Sequence, residues 1–290
     1  MAKGAVSALA TAVKWLGLAA IGGGAALLLF VAAYPLGLIR AYPDPPPAMV
    51  DGPLGLDHSI ADVRALYRQA GEPMAPYLER LTKTAAAGMV HYWTVGDSWT
   101  EADTPYTGIS AYDNYLLWLQ SFLPGYRSNL QNYEFMTPVM ILGRGYGFCS
   151  QVSKLLYSIL RDQGIDSVIY SNPFHTVVEA EGYVLDADYG VFVPHSLVWL
   201  RQDPKRIASY YAEYAAYPDW IPSLQHAYAA PWHVLGTAQG YASLRAYEAR
   251  FQRLKWMPPL LGIAGGLVLL ACSSLLRQRA RSAVPVASEG

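Results

Sequence analysis

Cysteine is scarce in this chain: 290 residues include two, Cys149 and Cys272. Cys272 lies inside a hydrophobic run, so the pair cannot staple a domain and the fold must be held by its core. Charge is also sparse. Asp, Glu, Lys and Arg make up 15% of residues, the net charge is −1, and no basic run occurs, which excludes the electrostatic footprint of a nucleic-acid binder. There is no internal repeat, so a solenoid is excluded. His91, His226 and His233 show no ligand spacing, so neither a metal nor a cofactor is expected. What the chain has in quantity is apolar surface, 53% of its residues, enough for a sizeable core.

Two stretches carry no charge at all. Residues 15–39 and 256–276 are each long enough to cross a hydrocarbon core of about 30 Å as a helix rising about 1.5 Å per residue. The first is longer than the apolar stretch of a signal peptide, which is about 7–15 residues. Both are therefore read as membrane helices, the first preceded by an N-terminal tail at 1–14. Lys3 and Lys14 flank the first, and Arg277, Arg279 and Arg281 follow the second in a basic tail at 277–290. This bias places both termini in the cytoplasm and the intervening domain outside it, against the pull of Arg245, Arg250, Arg253 and Lys255.

Between the spans, a Pro-rich stem at 40–56 contains Tyr42-Pro-Asp-Pro-Pro-Pro47, a stiff extended segment. A helical part at 57–137 follows, with helices expected at 57–67, 76–89 and 112–122 from their apolar spacing. Residues 132–147 read as a connection without a strong element. Gly143-Arg-Gly-Tyr-Gly147 is not a dinucleotide fingerprint, because residue 148 is Phe. Its glycines suit a tight turn that lets backbone approach a substrate. Residues 150–162 carry a stripe of Val152, Leu155, Leu156, Ile159 and Leu160, with Gly164 closing the helix. Strands are expected at 167–170, 176–180 and 183–185, the last two joined by the hairpin turn Glu181-Gly182. A tyrosine-rich stretch at 208–220 is read as core packing, its sharper alternative being a platform for sugars or lipid headgroups. A juxtamembrane helix at 237–255 runs into the second span.

Cys149 stands where the helix at 150–162 begins. Unpaired N–H groups at a helix N-terminus favour a thiolate, and a neighbouring imidazolium favours it more. His175 opens a strand 26 residues on, and carboxylates follow at Asp186 and Asp188. With Glu181-Gly182 as a two-residue turn, Val177 pairs with Asp186 and His175 with Asp188. His175, Asp186 and Asp188 then share one face, and either carboxylate can accept the imidazole N–H. His195, next to Pro194, reads as a surface loop residue.

Gly145-Tyr-Gly-Phe-Cys-Ser-Gln151, the helix to Gly164, His175-Thr-Val-Val-Glu179 and Val184-Leu-Asp-Ala-Asp-Tyr-Gly190 together resemble the transglutaminase-like superfamily of papain-like cysteine enzymes. Ala187 stands where that family usually has a proline. The resemblance covers roughly residues 138–194 and implies an α+β fold, a helix packed on an antiparallel sheet; this core and a tyrosine-rich extension make up the domain expected at 138–236. It implies Cys149 as nucleophile, His175 as general base and acid, and Asp186 as the orienting carboxylate, with Asp188 as the substitute. Gln151 and Tyr146 are candidates for supporting the oxyanion beside the Cys149 N–H. The implied activity is acyl transfer or amide hydrolysis through a thioester, on a protein or peptide substrate, including glycan- or lipid-linked ones. The rival reading is a catalytically silent module that binds other envelope proteins in polysaccharide or lipid assembly.

Overall fold

The computed structural model describes residues 2–44, 63–92 and 99–282. The stem beyond Asp44 and most of the first expected helix lie outside these residues; Val63–Leu66 is a single 3-10 turn. The chain forms two compact units. One comprises 1–41, 110–120 and 250–290, the other 42–109 and 121–249. The helical part expected at 57–137 and the core expected at 138–236 are thus largely one unit, and 110–120 belongs with the apolar helices.

In the apolar unit, helix α1 spans Ala2–Ala33, so the expected tail at 1–14 is helical, and residues 34–39 are turn and bend. The C-terminal helix spans Met257–Ser282. Both helices are long and apolar enough to cross a membrane. Their seam is built from glycine. A Cβ added at Gly24 would lie 2.7 Å from the Pro259 carbonyl oxygen, and one at Gly266 would lie 2.6 Å from that of Gly17. The Ser273 hydroxyl donates to the Ala10 carbonyl at 2.7 Å. Along the first helix, positions 10, 17 and 24 meet 273, 266 and 259, so the helices run antiparallel. Small residues allow this backbone approach and its dispersion contacts. Gly266→Leu is expected to open the seam. Bifunctional-maleimide crosslinking between cysteines placed at 10 and 273, with Cys149 and Cys272 replaced by Ala, should fall at least about fivefold. Undiminished crosslinking would mean that the glycine seam does not hold the pair.

In the larger unit, helix α2 covers Met74–Ala87 and buries Tyr77, Leu78, Leu81 and Ala85. Helix α3, Ala111–Gln120, belongs to the apolar unit and is interrupted at Asn114, whose extended backbone and side-chain oxygen cap the following turn at Leu117. The segment expected to be a plain connection instead holds helix α4, Pro138–Arg144. Pro138 is compatible with the first turn of a helix, where its missing N–H is not needed. Gly145, at φ +76°, ends that helix in the left-handed region. Tyr146–Gly147 then forms a short strand β2 parallel to β1, Val90–His91, which sets His91 opposite Gly147.

Helix α5 runs from Cys149 to Asp162, and its expected stripe is buried throughout. It packs on an antiparallel five-stranded sheet in the order β6-β5-β4-β3-β7. These strands are β3 Ser167–Ser171, β4 Thr176–Ala180, β5 Tyr183–Asp186, β6 Val191–Val193 and β7 His233–Val234. Glu181 and Gly182 both have positive φ, 53° and 79°, as a primed hairpin turn requires. The observed register pairs Ala180 with Tyr183 and Val178 with Leu185, as expected from that turn.

Val177, Val184, Val191 and Val193 pack on the sheet's second face, covered by helix α6 (Leu197–Gln202), Ile207, Tyr211, Tyr214 and helix α7 (Trp220–Ala229). The tyrosine-rich stretch therefore supplies core. Helix α8, Ala238–Leu254, leads through a two-residue turn into helix α9 at Met257, whose first turn holds Pro258 and Pro259. In α8, Glu248 is the buried member: its carboxylate accepts from Tyr133 Oη, the Met136 and Thr137 N–H groups and Thr137 Oγ1.

Candidate active site

Cys149 is the first residue of α5 and is half-buried. Phe148 precedes it in extended conformation, so the chain turns sharply into the helix there. As a first-turn residue, Cys149 has a backbone N–H without an intrahelical acceptor. Its thiol is close enough to His175 to contribute to the raised pKa of the imidazole.

His175 lies just before β4, held by the Asn172 side chain, which accepts from the Phe174 and His175 N–H groups at 2.9 Å each. Its Nε2 is 2.7 Å from Asp186 Oδ2. The bond is diagonal across the hairpin, from the residue that precedes β4 to the last residue of β5, which the shared face of alternate residues permits. Both groups are buried. Burial alone would favour a neutral His175. The Asp186 charge and its hydrogen bond, followed by Cys149, outweigh it, and the imidazole pKa stands well above its ordinary value.

Asp186 is further fixed by Tyr211, whose hydroxyl donates to the same Oδ2, while the Tyr228 hydroxyl lies 3.1 Å from that of Tyr211. Oδ1 of Asp186 is buried and has no hydrogen-bond partner among the described residues. A carboxylate held in this way is a strong counter-charge for an imidazolium. Rings of Tyr189, Tyr228 and Trp232 surround His175, with centroids at 5.6, 6.2 and 6.5 Å.

The remaining sequence candidates fall elsewhere. Asp188 is bonded to His91 Nδ1, not to His175. Burial raises the Asp188 carboxyl, but the charge of His91, its hydrogen bond and the more distant His175 outweigh this and hold it below its ordinary value. Gln151 faces the Phe135 main chain with both ends of its amide, donating to the carbonyl and accepting from the N–H at 2.8 Å each. It clamps the segment before α4 to α5. Tyr146 is buried among the rings of Tyr92 and Tyr106, its hydroxyl without a hydrogen-bond partner among the described residues. The glycines of 143–147 also have structural duties. Gly145 ends α4, and a Cβ on Gly147 would come within 2.5 Å of Gln151 Cβ and Cγ. His195 stacks on Trp199 at 3.8 Å. Among the described residues no cluster of His, Cys, Asp or Glu could hold a metal.

Tyr211, Tyr228 and His91 join the site without having been singled out as members of it from sequence. The first two lie in an aromatic-rich stretch that reads equally well as core, and His91 meets Asp188 across 97 residues. No family model, curated protein or solved structure matches the chain.

Proposed function

We propose that the chain is a membrane-anchored cysteine enzyme of the transglutaminase-like kind, with a papain-like core, acting on amide bonds. The observation that carries this reading is the His175–Asp186 hydrogen bond with the Cys149 thiol near the same imidazole, the three rooted before one strand, at the end of the next and at a helix start. In the first half-reaction the thiol proton resides on His175 while sulfur bonds the amide carbon. The carbonyl oxygen takes negative charge beside the Cys149 N–H. Collapse breaks the C–N bond, the leaving amine takes the proton from His175, and a thioester remains. Water or an acceptor amine then gives its proton to His175 and attacks the carbonyl; the C–S bond breaks and the proton returns to sulfur.

Iodoacetamide reads the first step without a substrate. At about pH 6, Cys149 is expected to be alkylated at least about tenfold faster than a free thiol, and His175→Ala should abolish the excess. Equal rates for the wild-type protein and a free thiol would leave only the non-catalytic envelope module.

The antiparallel helix pair supports a topology with both termini on one side of the membrane. With the flanking charges, that side is the cytoplasm and the site faces outward. Alkaline phosphatase joined after Gly96 should be active. An inactive fusion there, with active fusions at both termini, would reverse the orientation.

A further inference from the structure

A cleft of about 720 Å³ opens beside His175, lined in part by Phe174, Tyr189, Trp220, Ser223 and His226, and among the described residues no Asp, Glu, Lys or Arg lines it. If the cysteine-enzyme reading holds, its position assigns its task. His175 gives a proton to the departing group and takes one from the incoming group, so a cleft on the His175 side receives those parts of the reactants. A lysine-like ammonium would find no carboxylate among the lining residues, and burying an unpaired cation is costly.

The lining offers flat apolar faces with neutral polar edges. Phe174 is 58% exposed and meets His226 edge-on at 4.8 Å, while Trp220 meets Tyr189 edge-on at 5.4 Å. Neither the Tyr189 hydroxyl nor the His226 ring makes a hydrogen bond among the described residues, and Ser223 Oγ, which donates to the Asp219 carbonyl at 2.6 Å, keeps its acceptor capacity. We propose that the cleft binds an uncharged sugar ring on the leaving-group side of the substrate, laying its apolar face on the aromatic rings and its hydroxyls toward Tyr189, His226 and Ser223. The substrate is then a sugar-bearing amide, and water, rather than a lysine amine, completes the reaction.

The test is calorimetric titration of the full chain carrying Cys149→Ala, in detergent micelles, so that binding is read without turnover. Chitotriose should bind saturably, and Nα-acetyl-lysinamide should not. Trp220→Ala should weaken chitotriose binding at least about tenfold. Ser223→Lys, at an exposed position that leaves the core untouched, should weaken it at least about fivefold by placing a charge in the cleft. Binding of the lysine derivative, tighter binding of N-acetylphenylalaninamide than of chitotriose, or parental affinity in both variants would overturn the proposal. Alkylation of Cys149 in the unsubstituted chain separates the two readings. A reactive thiol without sugar binding removes the sugar site and keeps the enzyme. Sugar binding beside an unreactive thiol keeps the site and removes the enzyme.

Discussion

Asp186→Asn will slow acylation of Cys149 by on the order of a thousandfold while leaving the fold intact. Asn is isosteric and can still accept from Nε2 of His175 and from the Tyr211 hydroxyl, so the site keeps its shape. What disappears is the negative charge, the largest influence that raises the His175 pKa. The change is also legible in stability. His175 has a folded pKa above its ordinary 6.5, so its charged pairing stabilises the fold fully below that pH. This contribution is lost as pH rises through the elevated folded value. Denaturant titrations of the wild-type protein should show stability falling as pH climbs above 6.5, and Asp186→Asn should flatten that decline. A mutant with the same slope as wild type would mean that Asp186 does not hold the imidazolium. Wild-type acylation rates in the mutant would remove it from the catalytic line.

Gly147→Ala will cost about 3 kcal/mol and erase the enhanced alkylation of Cys149. The added Cβ would stand 2.5 Å from Gln151 Cβ and Cγ, atoms near the backbone of α5 rather than at the mobile end of a side chain. Gln151 cannot swing away without breaking two hydrogen bonds to Phe135 and leaving a buried N–H and C=O unpaired. The strain lands two residues before the thiol. Gly145→Ala, by contrast, meets no close contact and suffers only its left-handed backbone, about 1 kcal/mol. Urea unfolding of the two variants should preserve this order; a larger loss at Gly145 would refute the packing account.

The parts of the site that the sequence revealed are those set by short-range chemistry. The hairpin from Thr176 to Asp186 was readable because Glu181-Gly182 can only be a tight turn between apolar strands, and its length then fixes which residues share a face. Helix α5 was readable because its stripe repeats at helical spacing over three turns. Helix α4 was not, since four of the residues from Pro138 to Gly147 are proline or glycine, and propensity argues against regular structure there. Asp186 and Asp188 could not be told apart from the register, which offers both to His175. The choice is made by partners distant in sequence, Tyr211 for Asp186 and His91 for Asp188. Gln151 looked available only because nothing nearby in the chain shows that Phe135 needs it.

The chain passes between its two compact units four times, near residues 41, 109, 120 and 249. A domain on a single stalk is shed by one proteolytic cut. Here one cut in any crossing leaves three covalent connections, so the larger unit cannot be released from its apolar partner by a simple nick. The same connectivity defines what a soluble version requires. Deleting the two terminal helices leaves 110–120 behind, an orphaned insert from the apolar unit, so that excision must be accompanied by a new join between 109 and 121. The larger unit and the apolar unit are thus interwoven as one inheritance unit, and recombination that moved the larger unit elsewhere would have to carry the insert with it or rebuild that join.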